Sequence, residues 1–93
     1  MREKAKKVAN ILKVISNDNR LMILCCLSET PLTVSEIQKK VSCIGQSAIS
    51  QHLALLKANG IVNSEKNGQN VTYFISDKKI LSVIDVLMEE YCK

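Results

Sequence analysis

The stretch Gln46-Ser47-Ala48-Ile49-Ser50-Gln51-His52 is dense in side chains that both donate and accept hydrogen bonds, and it runs directly into Leu53, Leu55 and Leu56. Residues of this kind suit recognition of another polar surface. Glutamine can bridge an adenine edge, and serine can bond to bases or phosphates. Four cysteines, Cys25, Cys26, Cys43 and Cys92, offer a second chemistry, that of thiols. Enzymatic chemistry finds less material. The chain has one histidine, no Gly-rich phosphate loop and no paired carboxylates in a recognisable setting, so no catalytic constellation and no enzyme activity are expected.

Elements must hold these residues. Ala5, Val8, Ile11, Leu12 and Ile15 recur at three- and four-residue spacing among lysines, which predicts an amphipathic helix over 3–15. Ser16-Asn17-Asp18-Asn19 interrupts it and offers capping groups to a second helix, Arg20 to Leu27, which is apolar nearly all round and should be central. After Pro31, Thr33 stands three residues before Glu36, a capping-box spacing that starts a short third helix ending near Val41. Ser42-Cys43-Ile44-Gly45 leads to a fourth helix from Gln46 to about Asn59, with Gly60 as a left-handed cap. Ile49, Leu53 and Leu56 form its inward stripe. Two short helices joined by a tight turn make a helix-turn-helix pattern.

Beyond Gly60 the apolar period changes to two. Ile61 to Lys66 and Val71 to Ser76 read as strands, and the Asn67-Gly68 pair between them signals a hairpin turn. Asp77 can cap a last helix, Lys78 to Tyr91. The expected fold is one α+β, mostly helical domain over residues 1–93, in the order α-α-(short β)-α-α-β-β-α. The last helix carries Ile80, Leu81, Val83, Ile84, Val86, Leu87, Met88 and Tyr91, a wider apolar face than one small domain can cover. The first helix has the same need. A homodimer through the first and last helices satisfies both.

The net charge of +4 favours an anionic partner, and Glu3 is the only acid among residues 1–13, although a solvated helix start accounts for that cluster equally well. No run of about 18 apolar residues exists to span a membrane. No apolar stretch follows the basic N-terminus in the manner of a signal peptide, so a cytoplasmic location is expected. Cysteines without a secretion signal do not suggest a disulfide scaffold. A helix entering the major groove of double-stranded DNA presents its N-terminal residues to base edges. Gln46, Ser47, Ser50, Gln51 and Lys57 suit that work, and Lys66, Asn67, Gln69 and Asn70 at the hairpin tip can lie on the backbone or minor groove as a wing. The alternative is a winged-helix protein–protein module, which would show no preference for duplex DNA over another polyanion.

The segments NRLMILCCL (Asn19–Leu27), LTVSEIQKKV (Leu32–Val41), QSAISQHLALLKANGIV (Gln46–Val62) and GQNVTYFIS (Gly68–Ser76) together resemble the ArsR/SmtB family of bacterial winged helix-turn-helix repressors. Ser42-Cys43-Ile44-Gly45 looks about one residue longer than the family's usual turn. The resemblance implies a homodimer that binds an inverted-repeat operator and releases it on meeting an inducer. It also implies a supporting role at DNA for His52, in a Ser-Gln-His-Leu step. Many relatives bind metal through cysteines on the third helix or through Asp and His on the last. Here the third helix lacks cysteine, the last lacks histidine, and Cys25 and Cys26 point about 100° apart, so no metal or other cofactor is expected. Cys25 and Cys92 resemble the cysteine pair of the thiol-based, HlyU/BigR-like members, which implies an oxidant, persulfide or polysulfide inducer that links the two sulfurs. Small buried hydrophobes are the plainer explanation of Cys25 and Cys26. A metalloid or soft-metal inducer is the remaining alternative.

Overall fold

The computed structural model describes residues 1–92. Its elements are α1 (Arg2–Ile15), α2 (Asp18–Glu29), α3 (Val34–Lys40), α4 (Gln46–Ala58), β1 (Val62–Asn67), β2 (Asn70–Ile75) and α5 (Lys78–Tyr91). The expected order holds. Even the short strand after α2 is present, as a one-residue bridge in which Leu32 and Tyr73 exchange both backbone hydrogen bonds at 3.0 and 2.8 Å.

Boundaries move where capping chemistry dictates. The second helix starts at Asp18, two residues before Arg20, because the extended Asn17 accepts the Arg20 N–H at 3.1 Å with its side chain. It continues past Leu27 to Glu29, since Pro31 forces only the residue before it, Thr30 (φ −164°), out of helical geometry. Burial on this helix is one-sided: Ile23, Leu24 and Leu27 are buried, whereas Leu21, Met22, Cys25 and Cys26 are only partly covered. The third helix has both capping-box bonds. The Glu36 N–H donates to Thr33 Oγ1 at 3.2 Å and the Thr33 N–H donates to Glu36 Oε1 at 2.9 Å.

The end of α4 is a Schellman motif. Gly60 adopts φ +73°, the Gly60 N–H donates to the Lys57 carbonyl at 3.0 Å, and the Ile61 N–H donates to the Leu56 carbonyl at 3.0 Å. That use of the Ile61 N–H delays β1 to Val62. The strands pair antiparallel from Val62↔Ile75 to Asn67↔Asn70. Gly68 and Gln69 are therefore the two loop residues, and Gly68 (φ +64°) takes the first central position, the φ signature of a type II′ turn. The Asn67-Gly68 pair marks the hairpin, but Asn67 itself lies in the strand. Asp77 caps α5 by accepting the Lys79 and Ile80 N–H groups at 2.9 and 3.2 Å.

One core joins every element, with Ile23, Leu24, Ile37, Ile49, Leu53, Leu56 and Ile61 fully inaccessible to solvent. The terminal helices leave apolar surface outside it. Val8 and Leu12 on α1 are 53% and 51% exposed, and Val86 and Tyr91 on α5 are 60% and 81% exposed.

Two substitutions measure this scaffold in urea. Leu53→Ala is expected to destabilise by about 2–5 kcal/mol through lost burial and a residual cavity, and Thr33→Ala by about 1 kcal/mol through the lost cap. The backbone N–H of Thr33 and then its hydroxyl hold the Glu36 carboxyl below its usual range. A carboxylate that titrates lower in the folded chain stabilises it above the unfolded pKa, and that contribution disappears as pH falls through the folded value. Thr33→Ala keeps the backbone N–H, the larger cause, so only the part of its deficit that acts through the hydroxyl on the Glu36 carboxylate should shrink in acid.

Candidate nucleic-acid interface and thiol cavity

The stripe Ile49, Leu53, Leu56 fixes how α4 sits, and hence what it shows. At about 100° per residue, positions 46, 47, 50, 51, 54, 57 and 58 fill one arc of about 140°, and all of them are exposed. Gln46, Ser47, Ser50, Gln51 and Lys57 thus stand together on one open face. Ala54 lies within the same arc and keeps it low, although its side-chain type does not single it out. The helix start is open as well: Gly45 is the N-cap, and no side chain satisfies the first N–H groups.

The wing stands beside this face. Lys66, Asn67, Gln69 and Asn70 are all exposed at its tip. Lys57 Nζ donates to Ser64 Oγ at 2.8 Å, which ties the end of α4 to β1. One of the three lysine donors is used there, leaving two outward.

His52 belongs to a different side of the helix. It falls outside the exposed arc, is half-buried, and its Nδ1 accepts from Arg20 Nε at 3.4 Å. Arg20 Nη1 also donates to the Val14 carbonyl at 2.6 Å. One guanidinium therefore connects the end of α1, the start of α2 and the middle of α4. Nothing in local sequence signals this long-range link.

Cys25, on α2, and Cys92, at the end of α5, border the same space. Both line an apolar cavity of about 240 Å³ with Leu21, Ile84, Leu87, Met88 and Tyr91. Cys25 is half-buried and Cys92 exposed. Burial first, then the neighbouring Cys92, pushes the Cys25 thiol up from the ordinary cysteine value. Cys26 is raised chiefly by burial, against the opposing pull of Lys40. Cys43 is exposed in the turn between α3 and α4. Among the described residues, no group of three or more His, Cys, Asp or Glu side chains converges in a way that could hold a metal ion, and no helix is long and apolar enough to cross a membrane.

A helix-turn-helix with an exposed second helix and a two-stranded wing beside it defines a winged helix-turn-helix protein. Residues 17–64 match the family model described as "Bacterial regulatory protein, arsR family". Across its full length the chain is 38% identical to the transcriptional activator HlyU of Vibrio cholerae, covering 85% of that protein. It is 34% identical over 99% of its length to the biofilm growth-associated repressor of Xylella fastidiosa, covering 80% of it. The solved HlyU from Vibrio cholerae superposes with a TM-score of 0.93, covering 100% of both chains. BigR from Xylella fastidiosa superposes with a TM-score of 0.89 at 33% identity, over 100% of this chain and 94% of that one. The chain belongs to the ArsR family of bacterial regulatory proteins, a family of regulators and not of enzymes.

Thiol labelling reads the cavity directly. Iodoacetamide should modify Cys43 and Cys92 first. Because the folded Cys25 thiol stays protonated to higher pH than a free one, its rate should still be climbing with pH above about 8.5. At α4, Arg20→Leu should cost about 1–2 kcal/mol in a urea melt, as two half-buried hydrogen bonds are lost. Arg20→Lys should not restore it, since an ammonium lacks the fork that serves both acceptors.

Proposed function

We propose that the protein is a DNA-binding transcriptional repressor that acts in the cytoplasm as a homodimer on an inverted-repeat operator. Linkage of Cys25 to Cys92 by oxidation or persulfide chemistry releases it. The observation that carries the DNA-binding part is the one-sided polar arc of α4 with the wing tip beside it. A helix so exposed can enter the major groove with Gln46, Ser47, Ser50 and Gln51 over base edges and phosphates. Lys57, Lys66, Asn67, Gln69 and Asn70 then take the backbone or the minor groove. His52, with Nδ1 engaged by Arg20, supports the helix from behind. Repression is the direction that the name of the Xylella fastidiosa relative states, whereas the Vibrio cholerae relative is named an activator.

The apolar residues left open on α1 and α5 support the dimer. An unpaired domain would keep Val8, Leu12, Val83, Val86 and Leu87 in water, whereas a two-fold partner covers both helices at once. For the switch, the cavity that both cysteines line supports their linkage, and the greater exposure of Cys92 supports its reacting first. Exposed Cys92, as thiolate, attacks a polysulfide and takes up one sulfur, and a shortened polysulfide leaves. The Cys25 sulfur then attacks Cys92 Sγ, hydrosulfide departs, and a disulfide remains. Two thiol protons are lost and two electrons end on sulfide. Cys25 and Arg20 share α2, and Arg20 holds His52 of α4, so tying α2 to the end of α5 acts on the helix that steadies the reading face.

Fluorescence anisotropy on DNA from upstream of the gene tests this reading. Reduced protein should bind selectively, with log K falling against log salt by about 0.9 for each phosphate neutralised. Inorganic polysulfide should abolish binding, and Cys92→Ser should bind normally yet ignore polysulfide. A flat salt response would remove the DNA-binding proposal. Binding that polysulfide leaves untouched would remove the switch alone.

A further inference from the structure

The chain has two Asn-Gly steps, Asn59-Gly60 and Asn67-Gly68. A glycine carries no Cβ to shield its backbone nitrogen, so the nitrogen can approach the preceding asparagine side chain closely. The fold treats the two steps differently. Asn59 Nδ2 donates to the Leu55 carbonyl at 2.9 Å, and the Gly60 N–H donates to the Lys57 carbonyl at 3.0 Å. Both reacting groups are therefore held by the end of α4. Neither restraint exists at the wing tip. Among the described residues, the Asn67 side chain and the Gly68 N–H have no hydrogen-bond partner. Asn67 and Gly68 are exposed, and nothing lies within 4 Å of where a Gly68 Cβ would stand. Asn67↔Asn70 is the last pair of the hairpin, so the backbone rotation that brings the Gly68 nitrogen to the Asn67 side chain disturbs only that pair and the turn.

We infer that Asn67 is a site of spontaneous conversion to aspartate and isoaspartate, through attack by the Gly68 backbone nitrogen, and that conversion weakens the wing's hold on duplex DNA. The Gly68 nitrogen gives its proton to solvent and bonds to Asn67 Cγ. The side-chain nitrogen takes up a proton and leaves as ammonia, which closes a succinimide ring. Water then opens the ring. Addition at Cγ restores the ordinary backbone with a carboxyl side chain, and addition at the main-chain carbonyl carbon leaves the isoaspartyl link. One water is consumed and one ammonia released, with no oxidation or reduction. Either product is a carboxylate at neutral pH, and it stands beside Lys66 where a neutral amide stood. The isoaspartyl form also lengthens the backbone of a turn whose geometry Gly68 sets with φ +64°. The effect on DNA rests on the role proposed for the wing. The modification itself does not, since it needs only the turn.

The test is incubation of the reduced full chain, kept anaerobic at mildly alkaline pH. Peptide mapping by mass follows conversion, and anisotropy on DNA from upstream of the gene follows binding. The Asn67 peptide should acquire the mass of an amide-to-acid exchange well before the Asn59 peptide, as two isomers. Affinity at low salt should fall in step, by at least about threefold at full conversion, with a salt slope shallower by about 0.9. Asn67→Asp should show that shallower slope from the start. Asn67→Gln, whose longer side chain closes a ring far less readily, should not decline from its own starting affinity. Asn59→Gln should leave the decline unaltered, and circular dichroism of each variant establishes that it is folded. Conversion at Asn59 as fast as at Asn67, or a fully converted protein that binds as tightly as the fresh one, would overturn the proposal. Fresh protein that never binds duplex DNA but converts at Asn67 would establish the modification and remove the DNA-binding reading.

Discussion

Burial of Ile49, Leu53 and Leu56 along one side of α4 determines what the opposite side is able to do. All three are fully inaccessible, and rolling the helix by one residue would bring large aliphatic side chains into water at about 1.5–3 kcal/mol each. The helix is therefore fixed in rotation, which is the requirement for presenting a defined set of polar side chains to a partner. Its far end is fixed as well, since the Schellman bonds at Gly60 and Ile61 determine where the chain turns into β1. From there, the Lys57–Ser64 bond holds the wing at a set distance from the helix.

A second constraint runs through α2. This helix contributes Ile23, Leu24 and Leu27 to the core with one side, gives Cys25 to the cavity it forms with α5, and places Arg20 against both α1 and α4. The guanidinium is suited to this because its fork satisfies two acceptors in different directions at once. The cavity against α5 and the packing behind the exposed face of α4 therefore meet on one short helix. Changes at the cavity need not travel far to be felt at α4.

Much of this was legible in the chain because it rests on local chemistry. Thr33 and Glu36 announce their capping box by spacing alone, Asp77 and Gly60 cap as their types demand, and the 49-53-56 stripe follows from helical periodicity. Local pattern misleads where a neighbour's requirement overrides it. The first residue of β1 depends on a hydrogen bond made back to Leu56, and the hairpin register puts Asn67 in the strand although Asn-Gly ordinarily centres a turn. The extent of α2 turned on the reach of one cap and one proline. The least legible features join residues distant in sequence. Arg20 and His52 meet only after the helices have packed, and Cys25 and Cys92 border one space only once α5 lies against α2. Of the candidate reading residues, side-chain type and position singled out the polar ones, while Ala54 is picked out by geometry alone.

The central claim is that the exposed arc of α4 and the wing tip together contact duplex DNA. The most direct measurement is an amide NMR titration of the reduced protein with a duplex containing its operator. The expected perturbations concentrate on residues 46–51 and 66–70, with loss of intensity or shift at the uncapped start of α4, and leave the α1 amides at positions 2–9 largely unmoved. Perturbations centred instead on the lysine-rich α1, with residues 46–51 unchanged, would contradict the claim and show that DNA is held by charge on a different face.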